Sequence, residues 1–409
     1  MQWLERAAGM RPETIAVDTE DGALTYAELH ARARVAAVEL RGAQRVAIAL
    51  PAGLDFAVAL HACLLAGAAA VPVDLREPTP RLAGATIVID TPLAAPSAAS
   101  PPPAASPDLA APALVVHTSG TTGTPRPVVL TRGQVLQNAL AVTAALGHDR
   151  DERWLCPLPL SHVGGLMVLL RSVIYATTAV LGPAAREDIT IASLVPTQLG
   201  RLIHRPPPPT LRVVMLGGAP ADPTLLVRAR EAGWPVAPTY GLTQACSAVT
   251  VAQPGDTETS GHPLPGSTIA IAAERSGDER SARGSGEIVV NGHLQTGDLG
   301  RIDERGRLIV LGRKVDTIVS GGENVMPTEV EAVLLAHPAV AEAGVFGRPD
   351  PEWGEAVTAR VVLRADADPS QLREFAAQRL ARFKVPKAIE PVAALPRNAS
   401  GKLLRRELR

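Results

Sequence analysis

The chain has 409 residues, of which 46% are hydrophobic, 20% charged and 3% aromatic, and its formal net charge is -1 at pH 7. That length exceeds one ordinary domain and predicts roughly two or three, with the residue balance of a soluble globular protein. The near-neutral charge excludes a nucleic-acid binder that relies on bulk charge, and the scarcity of rings leaves Ala, Val, Leu and Ile to build the core.

The opening segment MQWLERAAGM mixes acid and base without an apolar run, so no secretory signal is expected. Residues 24–41 have helical apolar spacing, RVAIAL (45–50) is of strand type, and residues 53–69 form a second apolar helix pattern. AVPVDL (70–75) and TIVID (86–90) add short strands, an alternation that predicts a parallel sheet flanked by helices. Residues 91–112 turn to Pro, Ala and Ser and read as an exposed linker within the fold. ALVVH (113–117) and PVVL (127–130) are strands on either side of the loop TSGTTGTPR. Thr131 and Gln134 stand at capping-box spacing and start a helix.

Residues 163–182 are the nearest approach to a membrane span, but Arg171 near the middle would cost about 2.5–3.5 kcal/mol on insertion. A buried helix and strand of a soluble domain fits better, and the arginine then needs a partner. Strand 211–216 runs into Gly217 and Gly218, and Asp222 with Pro223 predicts the next helix start. VAPTYGLTQACS (236–247) is a strand entering a loop, and GEIVV (286–290) and RLIVLG (307–312) are hairpin strands of a smaller sheet. After residues 314–316 the texture changes to a compact α/β unit of about 90 residues. It has helices at 326–338 and 368–380, the second with Asp368 and Gln371 at capping-box spacing, and strands at 340–347 and 356–363. The three cysteines, Cys63, Cys156 and Cys246, have no metal or disulfide spacing and read as reduced buried thiols of a cytoplasmic protein.

The loop after His117 offers hydroxyl donors at Thr118, Ser119, Thr121 and Thr122, turning freedom at Gly120 and Gly123, and a cation at Arg126. Donors with a fixed cation suit a polyphosphate, although the Walker ending is absent. Gly217–Pro220 and the Tyr240 loop each follow a strand, where open parallel sheets bind ligands. Tyr240 has a ring on which a purine can stack. Asp298, placed after a tight turn in QTGDLG, is an acceptor that suits a ribose diol, or else caps that turn.

Taken in order, TSGTTGTPRP, GGAP, YGLTQA, TGDLG, GRKVDTIVSGGENVMPTEVE and PRNASGKLLRREL resemble the adenylate-forming superfamily of acyl-CoA synthetases, adenylation domains and luciferases over nearly the whole chain. The resemblance implies an α/β fold: a large N-terminal domain (1–313) of layered α/β sheets with a small distorted barrel, a hinge at 314–316, and a small mobile C-terminal α/β domain (317–409). It implies ATP, Mg²⁺ and coenzyme A as cofactors. Residues 118–122 with Gly123 and Arg126 would hold the ATP phosphates, and Gly217, Gly218, Ala219, Tyr240 and Gly241 would line the adenine. Thr243 would contact the α-phosphate, Gln244 would stand at the metal position, Asp298 would hold the ribose and Arg313 would reach the nucleotide. Lys402 would bridge the reacting carboxylate and the α-phosphate. Gly321, Gly322 and Glu323 would line the thiol path, with Trp353 and Lys384 meeting coenzyme A.

Two departures bear on chemistry. Arg126 and Pro127 stand where relatives carry Lys-Gly, and Gln244 where they carry Glu, so metal affinity should fall. The stretch between GEIVV and QTGDLG is also shorter than in relatives. Residues 154–181 and the C-terminal segments resemble o-succinylbenzoate–CoA ligases of menaquinone synthesis. That implies His162 and Gly218 at the acyl pocket, and 2-succinylbenzoate as substrate. Arg171 would then pair either with the substrate's second carboxylate or with an internal Asp or Glu. The expectation is an AMP-forming acid:CoA ligase with a small carboxylic acid, ATP and coenzyme A as partners, no nucleic acid, no integral membrane segment, and a homodimer as the candidate assembly. A stand-alone enzyme loading a carrier-protein thiol, and a degenerate nucleotide-binding protein, are the alternatives.

Overall fold

The computed structural model describes residues 2–93, 108–118, 126–183, 186–273, 284–397 and 402–409. Its framework is two mixed sheets. In the nine-stranded sheet, strands Val236–Leu242, Val213–Leu216, Ile191–Leu194, Arg153–Cys156, Thr178–Leu181 and Ile15–Thr19 run parallel, and antiparallel strands cover both edges. In the five-stranded sheet, Ile87–Ile89, Arg45–Ile48, Ala69–Pro72 and Pro112–His117 are parallel, with Pro127–Thr131 antiparallel at one edge. Runs such as AAVP, TAVL and VVML are buried at every position, as strands covered on both faces must be.

Helices Tyr26–Glu39, Leu54–Ala66, Arg132–Leu146 and Val163–Tyr175 share one core with both sheets. Leu54–Ala66 is buried without a break from Phe56 to Leu64, so its apolar surface goes all the way round. Local signals set the helix starts. The Thr131–Gln134 and Asp368–Gln371 boxes form both of their bonds, and Asp222 accepts from the Thr224 amide with Pro223 at the first helical position. The helix expected from residue 24 begins at Tyr26, because an unforeseen Thr25–Glu28 box takes Thr25 as its cap and Leu24 joins a strand. The 163–182 segment is the helix Val163–Tyr175 followed by the strand Thr178–Leu181. No helix among the described residues is long and apolar enough to cross a membrane.

The smaller sheet departs from expectation. Its strands Ile269–Ala273, Ser285–Val290, Leu294–Ile302 and Leu308–Arg313 form an antiparallel ladder. Among the described residues no pairing joins its ends, so the expected distorted barrel is an open sheet. Four strands are fewer than the roughly five of even a partly open small barrel. GEIVV and RLIVLG do not pair with each other; both flank Leu294–Ile302, the strand that contains QTGDLG. The expected turn before Asp298 is instead an irregularity within that strand, where Gly297 has φ +71° and the Thr296 hydroxyl accepts the Asp298 amide.

The 3-10 turn Lys314–Asp316 leads from Arg313 to a last sheet. There Glu323–Val325, Ile318–Ser320, Gly354–Leu363 and Val340–Asp350 are antiparallel, and Ala388–Pro391 adds a parallel strand. Helices Pro327–Leu335 and Pro369–Ala377 pack on a core of its own.

Candidate active site

A cleft of about 1280 Å³ opens beyond the carboxyl ends of strands Arg153–Cys156, Ile191–Leu194 and Val213–Leu216. It exceeds the roughly 300–1,000 Å³ of a single small-ligand pocket, so two reactants fit together. Every major part of the fold contributes. Thr118 and Arg126 come from the five-stranded sheet, Gly217, Gly218, Gly241, Thr243 and Gln244 from the nine-stranded one, Asp298 and Arg313 from the small sheet, and Lys402 from the C-terminal segment. The feet of the hydroxyl loop are tied together: the Thr118 amide donates to the Arg126 carbonyl at 3.0 Å, and the Arg126 amide donates to Thr118 Oγ1 at 3.1 Å. Ser119, Gly120, Thr121, Thr122 and Gly123 lie outside the described residues.

The end of the cleft beside Gly217, Gly218 and Gly241 is built for close backbone approach. A Cβ on Gly241 would stand 2.2 Å from the Ser247 carbonyl oxygen, so only glycine lets that strand turn beside the cleft. The chain then passes Cys246 and Ser247 with φ of 62° and 116°, a strained passage of the kind found at binding sites.

Asp298 is held from two sides. Arg313 Nε lies 2.7 Å from Oδ1, and the Tyr240 hydroxyl donates to Oδ2 at 2.8 Å. Burial raises the Asp298 carboxyl above the ordinary aspartate range, opposed by Arg313, Tyr240 and Lys402. Tyr240 itself is outside the cleft lining; its ring packs with Val249, Ile288, Val290 and Leu308. Lys402 is pushed below the usual lysine range by burial and then by Arg313, while Asp298 and Asp316 resist.

The other end carries His162 and Arg171. His162 is the N-cap of helix Val163–Tyr175. Burial lowers its basicity, Asp74 opposes, and Arg76 adds to the lowering. Arg76 grips Asp74 with two bonds of 2.7 and 2.6 Å and lies 3.5 Å from His162 Nε2.

Arg171 is 2% exposed yet belongs to the cleft wall. Its Nη2 donates to Asn138 Oδ1 at 2.6 Å and to Ser247 Oγ at 3.3 Å, and its guanidinium lies 5.4 Å from the Trp154 ring centre. Nε has no hydrogen-bond partner among the described residues, and burial pushes the group down to about 10. Among the described residues no ion pair to Arg171 occurs, so the expected alternative of an internal Asp or Glu partner is not found. The guanidinium is held by neutral groups.

The remaining expected positions lie elsewhere. Ala219 is not in the cleft lining. Gly321 backs onto Trp353, whose carbonyl accepts the Gly321 amide at 2.8 Å, and Lys387 Nζ sits 3.9 Å from the Trp353 ring centre. Gly322 and Glu323 are exposed beside them, and Lys384 pairs with Glu329 at 2.7 Å. None of these five lines the cleft. The sequence reading missed Arg76 and Arg397, both of which do.

No group of three or more His, Cys, Asp or Glu side chains positioned for a metal occurs among the described residues. The turn Thr243–Ala245 places Thr243 and Gln244, a hydroxyl and an amide side chain, in the cleft lining. Such neutral oxygens fit a magnesium ion that arrives on phosphates and keeps most of its waters.

The fold and cleft define a nucleotide-binding, acid-activating enzyme, and the chain belongs to the AMP-binding enzyme family. The family model matches residues 4–89 and 84–297, and that of the AMP-binding enzyme C-terminal domain matches residues 329–402. The chain is 36% identical to the 2-succinylbenzoate–CoA ligase of Bacillus subtilis (strain 168) over 474 positions, covering 100% of this chain and 97% of that one. Since 474 positions exceed the 409 residues here, about 65 positions of that relative have no counterpart. The structure of o-succinylbenzoate CoA synthetase from Bacillus subtilis in complex with the acyl-adenylate intermediate OSB-AMP superposes with a TM-score of 0.88 at 34% identity, covering 100% and 97% of the two chains. A double mutant of that enzyme bound to its product analogue OSB-NCoA superposes at 0.70, with 34% identity and 99% and 97% coverage.

Proposed function

We propose that the protein is an AMP-forming ligase that joins 2-succinylbenzoate to coenzyme A. The observation that carries this reading is Arg171: a buried guanidinium in the cleft wall whose partners among the described residues are all neutral. A substrate with two carboxylates supplies the missing anion for Arg171 while presenting the other carboxylate for reaction. The identity to 2-succinylbenzoate–CoA ligases supports the same acid.

In the first half-reaction a carboxylate oxygen bonds to the α-phosphorus of ATP and pyrophosphate leaves. Lys402 neutralises the charge that develops between acid and phosphate. Asp298, fixed by Arg313 and Tyr240, accepts from the ribose hydroxyls. Gly217, Gly218 and Gly241 let the base lie against backbone, and Thr118 with Arg126 holds phosphate. Bound with the triphosphate, Mg²⁺ would neutralise the departing pyrophosphate. In the second half-reaction the coenzyme A sulfur bonds to the acyl carbon and AMP leaves. For this step residues 317–409 turn about 314–316 as a domain against 1–313, bringing Gly321, Gly322, Glu323, Trp353 and Lys384 toward the thiol. The higher superposition on the acyl-adenylate complex, and Lys402 in the cleft, support an arrangement set for the first step. Cytoplasmic residence, in keeping with three buried free thiols, and assembly as a homodimer complete the reading; fractionation and light scattering test them.

ATP–pyrophosphate exchange over a panel of aryl and fatty acids tests the function. Exchange with 2-succinylbenzoate well above that with benzoate or fatty acids is expected; a preference for monocarboxylic acids contradicts it. Thioester formation with coenzyme A rather than with a holo-carrier protein separates the ligase from a carrier-loading enzyme. At the metal, Gln244→Glu adds a unit charge, worth ~1 kcal/mol beside a cation even in water. It is expected to lower the Mg²⁺ concentration for half-maximal exchange about fivefold, and an unchanged requirement would place the ion elsewhere.

A further inference from the structure

The segment that bears Lys402 is fastened at several points. Leu403 pairs with Arg397, the Leu404 amide donates to the Pro396 carbonyl at 2.9 Å, and Leu408 is fully buried with Phe346 and Leu395. Between them Arg405 reaches three elements. Its guanidinium donates to both oxygens of Glu331 on helix Pro327–Leu335, to the Val345 carbonyl at 2.7 Å, and to Asp316 Oδ2 at 3.4 Å. Glu331 also accepts the Val345 amide at 2.7 Å. The Arg405 side chain is only 16% exposed, so its charge-assisted bonds to Glu331 form in poorly hydrated surroundings where such bonds are strong; the contact to Asp316, a side chain 31% exposed, is the longer and weaker one.

Asp316 is the last residue of the turn that joins the small sheet to the C-terminal sheet. The first residue of that turn is anchored the other way, with Lys314 Nζ 3.5 Å from Glu287 of the small sheet. Val315 lies between them, 58% exposed.

We propose that Arg405 is the positioning residue for Lys402, tying the lysine segment to Asp316 so that the turn and the lysine move as one piece with the pivot at Val315. Without the tie, the turn adopts its place and Lys402 no longer follows it accurately. A misplacement near 1 Å costs on the order of 10²-fold in rate, and lysine cannot replace the forked guanidinium.

This inference rests on the ligase reading, and the two half-reactions separate them. The full chain carrying Arg405→Gln, Asp316→Asn or both is assayed for ATP–pyrophosphate exchange and, separately, for thioester formation from supplied acyl-adenylate and coenzyme A. Arg405→Gln is expected to lower exchange roughly 10–100-fold while thioester formation stays within about threefold. Asp316→Asn shows the same split to a smaller degree, and the double variant is no worse than Arg405→Gln, as for groups acting together. Equal loss in both half-reactions, or additive losses in the double variant, overturns the proposal. If Arg405→Gln does not fold, Asp316→Asn alone must show the split. A wild-type chain that forms neither adenylate nor thioester overturns the ligase reading and this inference with it.

Discussion

Lys402→Ala is expected to lower acyl-adenylate formation by about 10²–10³-fold, the usual cost of deleting one preorganised donor at a developing charge. Thioester formation from supplied acyl-adenylate should change little, because the lysine is needed only while carboxylate meets phosphate. The pH profile adds a second check. Burial and Arg313 depress the Lys402 ammonium, so its proton is lost at a lower pH than from an ordinary lysine. Adenylation should therefore fall as pH rises through that depressed value. Lys402→Arg keeps the charge throughout this range and should abolish the alkaline limb, although at a lower rate because its charge is spread over a fork. Retention of the limb in Lys402→Arg would assign it to another group, and a Lys402→Ala enzyme with full exchange activity would remove the lysine from the chemistry.

Arg171→Met is expected to raise KM for 2-succinylbenzoate by roughly 30-fold or more, since losing the partner of a buried charge costs about 2–5 kcal/mol. The fall in kcat should be smaller, because this contact lies away from the reacting carboxylate. A monocarboxylic analogue gives the discriminating comparison. It leaves the arginine's charge unanswered in the wild type, so the substitution should leave its KM unchanged or improve it. Equal losses with both acids would mean that Arg171 only holds Asn138, Ser247 and Trp154 in place.

Features set by near neighbours could be read from the sequence. The Thr131 and Asp368 caps depend on groups three residues away, and Arg171 drew attention because a charge within an apolar run must be answered. The order of the glycine and hydroxyl loops was equally plain, and the cleft brings Thr118, Gly217, Gly241, Thr243, Asp298, Arg313 and Lys402 together. Thr, Gly and Asp favour a turn at Asp298 by local preference, yet the ladder to Ser285–Val290 and Leu308–Arg313 holds them in a strand. Nothing near Tyr240 in the sequence marks its ring as occupied; its burial depends on residues of the small sheet far along the chain. Arg76 and Arg397 carry no local mark that separates them from solvated arginines. Asp74, the partner of Arg76, is only two residues away, but the approach of Arg76 to His162 and the pairing of Arg397 with Glu342 are created only by the folded chain.

His162 and Arg171, the two groups proposed to meet the acid, belong to a single rod. His162 caps the helix Val163–Tyr175 and Arg171 stands within it, in a segment buried from Gly165 to Ile174. The axial separation from Val163 to Arg171 is fixed at roughly 12 Å by helical rise, less the backward lean of a helical side chain toward its N-terminus. On the proposed reading such a rod would be a ruler. It would measure the span between the two acidic ends of a substrate without relying on loop closure, and inserting one residue into it would swing the guanidinium by about 100° to another face. Acids of other lengths would then be refused by geometry before any chemistry began.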